Sequence, residues 1–148
     1  MTRTDDLYRP FHPRRARPVA WGVAAAWLLL MLGLAFLLPV DMRWSDRAGF
    51  IVVGLAVAWF MYRQATVAAT PTEHGLRVRN LILSRELDWA EIVGVRFGGG
   101  APWVSLDLAD GDTLAVMAVQ RADGELAVAE SRRLATLVAR HSATERDD

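Results

Sequence analysis

The chain has 148 residues, of which 53% are hydrophobic and 23% are charged, and its formal net charge is zero. The zero net charge excludes a whole-molecule field that attracts nucleic acid, and the lack of cysteine excludes disulfides and thiolate metal sites. The charges are unevenly placed, because residues 19–38 and 48–62 contain none. This division indicates a lipid-facing front and a water-facing back.

The first apolar segment, Val19 to Leu38, has the length of a membrane-spanning helix. At about 1.5 Å per residue it covers about 30 Å, the hydrocarbon thickness of a bilayer. Pro18 stands where a first-turn proline is tolerated, and Pro39 closes the far end. A cleaved signal peptide is the alternative, but its apolar region would be shorter, at about 7–15 residues.

A second span is predicted over residues 46–63, and it is less pronounced. Its uncharged part, Ala48 to Tyr62, is short for a bilayer. Arg47 and Arg63 flank this part, and their long side chains can reach outward to the interface. The alternative is a buried helix of a soluble protein, but so small a chain has little left to cover two such helices.

The linker Val40–Arg47 is short, so the two spans are predicted to form an antiparallel hairpin over residues 19–63. Small residues four apart let membrane helices approach closely. Two such pairs are present, Gly54 with Ala58 and Gly22 with Ala26.

The arginines predict how the hairpin is oriented. Residues 1–18 form a basic tail, and further arginines follow the second span at Arg63, Arg77 and Arg79. Basic flanks stay on the cytoplasmic side, so both termini are predicted in the cytoplasm, with the hairpin in the plasma membrane. Within the tail, the cluster of Arg14, Arg15 and Arg17 is assigned to fixing topology and, secondarily, to contact with anionic lipids of the inner leaflet.

From about residue 65 the hydrophobic pattern alternates with period two, which is typical of half-buried strands. Six or seven short antiparallel strands are predicted, the first near Thr66–Thr70 and another over Leu81–Leu87. The remaining alternating runs are Gly75–Asn80, Val93–Phe97, Val104–Leu108 and Thr113–Val116.

The connections between these runs have recognisable turn chemistry. Asp110-Gly111 predicts a hairpin with a type I′ turn, and Gly98–Pro102 is a second connection. Asp88 stands three residues before Glu91, a variant of the capping box, which predicts a short helical turn that places Trp89 in the core.

After Gly124 the period becomes helical, with an apolar stripe and a polar side that contains Arg133. Glu130 falls inside the stripe, at its rim. The stripe consists of Leu126, Ala127, Leu134, Leu137 and Val138. The predicted architecture is therefore a two-helix transmembrane hairpin, then a small β-barrel or orthogonal β-sandwich of pleckstrin-homology-like (PH-like) form over residues 65–142, capped by a C-terminal α-helix, with a disordered tail over 143–148.

Several separated segments occur in the order found in a known family: Thr72–Asn80, Asp88–Ile92, Val95–Phe97, Leu108–Gly111 and Met117–Gly124. In these the chain resembles the bacterial PH-domain family named for the low-molecular-weight protein antigens of actinobacteria. The resemblance covers roughly residues 70–142. It implies a PH-like fold tethered to a membrane and implies little about activity.

Four side chains are candidate contacts for a lipid headgroup or a partner. Arg77 and Arg79 project from one strand face, Arg96 joins them if the fold brings it near, and Trp103 follows the Gly98–Gly100 run. The alternatives are a solvated strand face for the arginines, a flexible loop for the glycines and a core edge for the tryptophan.

Catalysis is not predicted. His12, His74 and His141 lack metal-ligand spacing, and no catalytic motif is present. No cofactor is expected. The first hypothesis is a membrane-anchored binding or scaffolding module whose partners are membrane lipids, or a membrane or cytoplasmic protein. The second is a structural subunit that assembles through its hairpin.

Overall fold

A computed structural model describes residues 6–37 and 43–144 of the chain. It divides them into two compact units. The helical unit begins at Ala16 and ends at Thr66, and the β unit combines the residues up to Arg15 with those from Val67 onward.

The helical unit consists of two 22-residue helices, α1 (Ala16–Leu37) and α2 (Trp44–Ala65). They pack against each other as the hairpin predicted from the sequence. The helix ends lie within about three residues of the predicted ones, and Leu38 and residues 40–42 of the predicted linker lie outside the described residues.

Small residues decide how closely α1 and α2 approach. A Cβ atom added to Gly54 would lie 3.0 Å from the Cβ of Met31, so the two backbones meet at this glycine. The prediction for Gly22 and Ala26 was wrong, because both are exposed and a Cβ on Gly22 would meet nothing within 4 Å. The spacing of small residues does not reveal which helix face is turned to the neighbour.

Both helices are long and apolar enough to cross a membrane. Much of their apolar surface remains exposed in this chain. The exposed large side chains include Val19, Leu29, Leu30, Phe36, Val52, Leu55, Trp59 and Phe60. Such a surface requires lipid or another protein to cover it.

The β unit is a sandwich of two three-stranded antiparallel sheets followed by a helix. Within the described residues the sheets do not join into a closed barrel, so the sandwich form of the prediction is the one observed. The first sheet has β1 (Ala68–Pro71), β2 (Gly75–Arg79) and β3 (Ser84–Asp88). The second has β4 (Ile92–Arg96), β5 (Trp103–Leu108) and β6 (Thr113–Gln120). Helix α3 (Glu125–Thr144) completes the unit.

The helical stripe and most of the alternating apolar residues form the core as predicted. Val93 is an exception: the β4–β5 register shifts between Ile92 and Gly94, so Ile92 is buried and Val93 is 67% exposed. Inward-facing Leu76 and Val78 of β2, and Leu106 of β5, pack in the same cluster as Leu134 and Leu137 of α3. Of the predicted tail, residues 143 and 144 continue α3, and 145–148 lie outside the described residues.

The 3₁₀ turn Trp89–Glu91 confirms the prediction for this connection. The backbone N–H of Asp88 donates to the Glu91 carboxylate at 2.8 Å. The indole N–H of Trp89 donates to the carbonyl of Thr72 at 3.0 Å, so the buried ring has its polar atom satisfied. Close by, a Cβ on Gly75 would lie 2.0 Å from the carbonyl oxygen of Leu87, which only glycine avoids.

Two details of the hairpins differ from the sequence prediction. The strand expected over Leu81–Leu87 begins only at Ser84, because the amide of Asn80 bonds the carbonyl of Leu83 at 2.9 Å and closes a turn. The type I′ assignment at Asp110-Gly111 was wrong: only Gly111 has positive φ, at 90°. Its amide bonds the carbonyl of Leu108, as in a longer hairpin loop with glycine in the left-handed position.

Candidate binding surfaces of the β unit

Arg77 and Arg96 lie on different sheets, and each faces a carboxylate on the neighbouring strand. Arg77 stands opposite Glu86 in the β2–β3 register and donates to it at 3.1 Å. Arg96 lies 2.6 Å from Asp107. These exposed pairs use part of each guanidinium's capacity for an outside anion, although such pairs contribute little to stability.

Arg79 lies at the end of β2, one residue before the turn that connects β2 to β3. Arg85, on β3, lies 3.6 Å from Asp110 in the β5–β6 connection. Basic side chains therefore surround the β2–β3 hairpin, whereas Arg96 belongs to the other sheet.

Trp103 is half-buried at the start of β5, opposite Gln120, where the β5–β6 register shifts. It follows the glycine loop, in which Gly98, Gly99 and Gly100 all have positive φ. Beside this loop lies an open cavity of about 620 Å³, lined by Val95, Arg96, Phe97, Gly98, Gly99, Ala101 and Ser105.

A segment ahead of α1 belongs to the β unit, which sequence reasoning missed. The amide of Phe11 donates to the carbonyl of Ala69 at 2.8 Å, and the amide of Ala69 donates back at 3.1 Å. Phe11 thus adds one antiparallel bridge to the free edge of β1, and its ring is only 1% exposed. The available signal was the apolar set of Leu7, Tyr8 and Phe11 within the basic tail.

Arg133 holds this segment in place. Its Nη1 donates to the carbonyls of Leu7 at 2.9 Å and Arg9 at 2.7 Å, and its guanidinium carbon lies 3.7 Å from the centre of the Phe11 ring. The helical wheel had placed Arg133 on the solvent side, which was wrong, because the side chain is only 13% exposed.

The contact with Arg133 also explains why Glu130 lies in the apolar stripe. Its carboxylate accepts a hydrogen bond from Nη2 of Arg133 and lies 3.7 Å from Arg9. The wheel could not anticipate a partner supplied by the other end of the chain.

His141 is packed at the end of α3 between two aromatic residues. Its ring stacks on Trp89 with centroids 4.7 Å apart, and its Nε2 lies 2.8 Å from the hydroxyl of Tyr8. Burial lowers the pKa of His141, and the charge of Arg140 lowers it further.

Arg14 and Arg15, which were predicted to fix the topology, are held in place through their backbones. Both of their amides donate to the Asp123 carboxylate at 3.0 Å, while both side chains are exposed. Arg17 lies in the first turn of α1 and is also exposed. In the part of the chain that the structure describes, no group of three or more His, Asp or Glu side chains could hold a metal ion.

This architecture defines a class of protein in which two helices able to cross a membrane precede a PH-like sandwich. A bacterial PH domain family matches residues 65–136. The chain is 34% identical over 123 residues to Uncharacterized protein Rv1417 of Mycobacterium tuberculosis, covering 83% of this chain and 78% of the relative. It is 36% identical over 88 residues to Low molecular weight protein antigen 6 of the same species, covering 60% and 74% respectively.

The chain therefore belongs to the bacterial PH domain family, as the resemblance in its motifs indicated. The chain is equally similar to Uncharacterized protein Mb1452 of Mycobacterium bovis, at 34% identity over 123 residues. No solved structure matches the chain.

Proposed function

We propose that the protein is a membrane-anchored binding or scaffolding module, which displays its PH-like unit in the cytoplasm at the plasma membrane. The observation that carries the proposal is the exposed apolar surface of α1 and α2, next in sequence to the folded β unit. Lipid suits such helices, because the backbone groups between the first and last turns are hydrogen-bonded within the helix and need no water.

The β unit is built from two segments that flank the hairpin in the sequence, and this supports a hairpin that crosses the membrane twice. Residues 6–15 and the residues from Val67 onward fold together, so both flanks of the hairpin must lie on one side of the bilayer. Two crossings meet this requirement and a single crossing does not. The arginines of those flanks favour the cytoplasmic side.

The proposed contact is a protein partner or an anionic lipid headgroup, and the candidate contacts remain Arg77, Arg79, Arg96 and Trp103. A protein partner is favoured at Trp103, because a half-buried indole is typical of an interface anchor, and the glycine loop that precedes it lines an open cavity of about 620 Å³.

Site-specific photocrosslinking in native membranes tests this proposal. A photoreactive residue is placed at Trp103 in the full-length chain, with a matched control at Thr72, which is exposed on the first sheet's side of the unit. A discrete adduct at 103 that is absent at 72 supports the binding module. Charge reversal at Arg77 and Arg79 tests the lipid alternative. If these arginines bind headgroups, the reversal should abolish crosslinking of the protein to headgroup-labelled anionic lipid.

The second candidate function is that of an assembly subunit which packs through its hairpin against a larger membrane complex. It is favoured by a shallow apolar groove of about 330 Å³ on α1, lined by Leu29, Leu30, Gly33, Leu34 and Leu37. Photocrosslinks to a discrete protein from Leu29, with none from Trp103, would favour this function over the first.

A further inference from the structure

We propose that the β2–β3 hairpin tip, Leu81-Ile82-Leu83, inserts into the interfacial layer of an anionic bilayer. The inference rests on the proposed membrane anchoring and identifies which part of the PH-like unit meets the lipid.

The tip is the most exposed apolar feature of the β unit. Ile82 is 81% exposed and Leu83 is 68% exposed. Consecutive exposed aliphatic side chains at a hairpin tip are costly in water and gain free energy when they enter an apolar layer. Val93, on the second sheet, is 67% exposed, but it forms no such run, because its neighbour Ile92 is buried and Gly94 has no side chain.

The hairpin is held firmly at its base, so the tip projects as a fixed element. The side chain of Asn80 is buried and joins the hairpin to β6. Its Nδ2 donates to the carbonyl of Ala115 at 2.7 Å, and its Oδ1 accepts from the amide of Met117 at 3.1 Å. A buried amide with both ends bonded fixes the orientation of the segment that follows.

The charge around the tip suits an anionic surface. Residues 77–85 contain Arg77, Arg79 and Arg85 and no acidic residue. Arg77 and Arg85 have carboxylate partners at 3.1 and 3.6 Å. Both pairs are solvent-exposed, so each arginine can readily exchange its carboxylate for a lipid phosphate. Apolar side chains flanked by arginines are the composition expected of a segment that lies at the headgroup boundary.

The lack of native cysteine permits a direct test with single-cysteine variants of the full-length chain. Ile82→Cys carries an environment-sensitive fluorophore, and Val93→Cys, 67% exposed on the other sheet, is the matched control. Leu29→Cys, on α1, reports on the anchor. Each variant is placed in nanodiscs of phosphatidylcholine alone or with phosphatidylserine, and quenching is measured with acyl-chain nitroxide lipids.

The expected result is a blue-shifted emission with nitroxide quenching at position 82 in the phosphatidylserine nanodiscs, and a water-like, unquenched label at position 93. Adding Arg79→Gln and Arg85→Gln should return the label at 82 toward the aqueous spectrum. A label at 82 that stays as unquenched as the one at 93 overturns the inference. Failure of the anchoring itself is distinguishable, because the label at 29 would then also escape quenching.

Discussion

Arg133 is a charged residue of the C-terminal helix that binds backbone carbonyls from the start of the chain. Its contacts explain the least expected burial in the β unit, since Phe11, Glu130 and the segment around Leu7 are all placed through this one guanidinium. A planar fork with five donors can serve several carbonyls and a carboxylate at once, which lysine cannot do.

Replacing Arg133 with Gln should destabilise the β unit by about 2–4 kcal/mol, because several charge-assisted bonds are lost and the partly buried Glu130 loses the nearer of its two arginine partners. Hydrogen exchange of the full-length chain measures this as a lower free energy of opening in β2 and β5. Arg132→Gln is the control, since Arg132 is exposed on the same helix and its replacement should change the value by less than about 0.5 kcal/mol. Equal effects of the two variants would contradict the assigned role.

His141 should make the stability of the β unit depend on pH. Its pKa is lowered in the folded chain, so the unfolded chain takes up the proton more readily. The stabilisation is therefore complete above the unfolded value of 6.5 and is lost as the pH falls below it toward the lowered folded pKa.

The corresponding measurement is the opening free energy of the β unit, followed by hydrogen exchange as the pH is lowered. His141→Phe keeps a ring against Trp89 and should reduce the slope below the unfolded pKa. An unaltered slope in His141→Phe would show that another group titrates.

Single-residue roles were only partly predictable from the sequence. Alternation correctly placed Arg77 and Arg96 on outward strand faces, but it could not reveal Glu86 and Asp107 opposite them, because strand register is set by tertiary packing and turn geometry.

Among the elements, the segment around Phe11 acts as a short fourth member of the first sheet. It protects part of the free edge of β1, which would otherwise present unpaired backbone groups. The length of the uncharged apolar runs predicted α1 and α2, and periodicity predicted α3 and most strands, because each of these has enough residues to display its repeat. A segment that contributes a single bridge has no repeat to detect, and its partners come from distant parts of the chain.

Phe11→Ala should release this segment and destabilise the β unit by about 3–5 kcal/mol, the usual cost of removing a buried phenylalanine ring. Hydrogen exchange should then show loss of protection at the amides of Phe11 and Ala69. In Arg14→Ala the exposed side chain is removed but its backbone bond to Asp123 is kept, so protection should persist. Full protection in Phe11→Ala would contradict the edge-strand role.

The stability of the α1–α2 pair should fall when a large side chain is introduced at Gly54 and should not change when one is introduced at Gly49. Gly54→Leu forces a side chain into Met31, and overpacking of this kind costs about 1–3 kcal/mol. Gly49→Leu on the same helix enters open space. Thermal unfolding in nanodiscs, followed by circular dichroism, should give a lower midpoint for Gly54→Leu alone, and an equal midpoint for both variants would contradict the packing.

At the scale of the whole molecule, the membrane-competent hairpin interrupts the sequence of one folding unit. Residues 6–15 and the residues from Val67 onward fold together although α1 and α2 separate them in the chain. The arginines alone predict both flanks on one side of the membrane, with residues 1–18 as a tail outside the domain. The fold supplies a second, independent reason for the same topology, because the parts of one folded unit cannot be separated by a bilayer.

The most direct test of this account is labelling of single cysteines with a membrane-impermeant maleimide, in intact cells and in inverted membrane vesicles. The exposed positions His12, before α1, and Val93, in the β unit, are each replaced by Cys in the full-length chain. The account predicts that both positions react in inverted vesicles and that neither reacts in intact cells. Labelling of either position from outside the cell, or recovery of the chain in the soluble fraction without detergent, would contradict it.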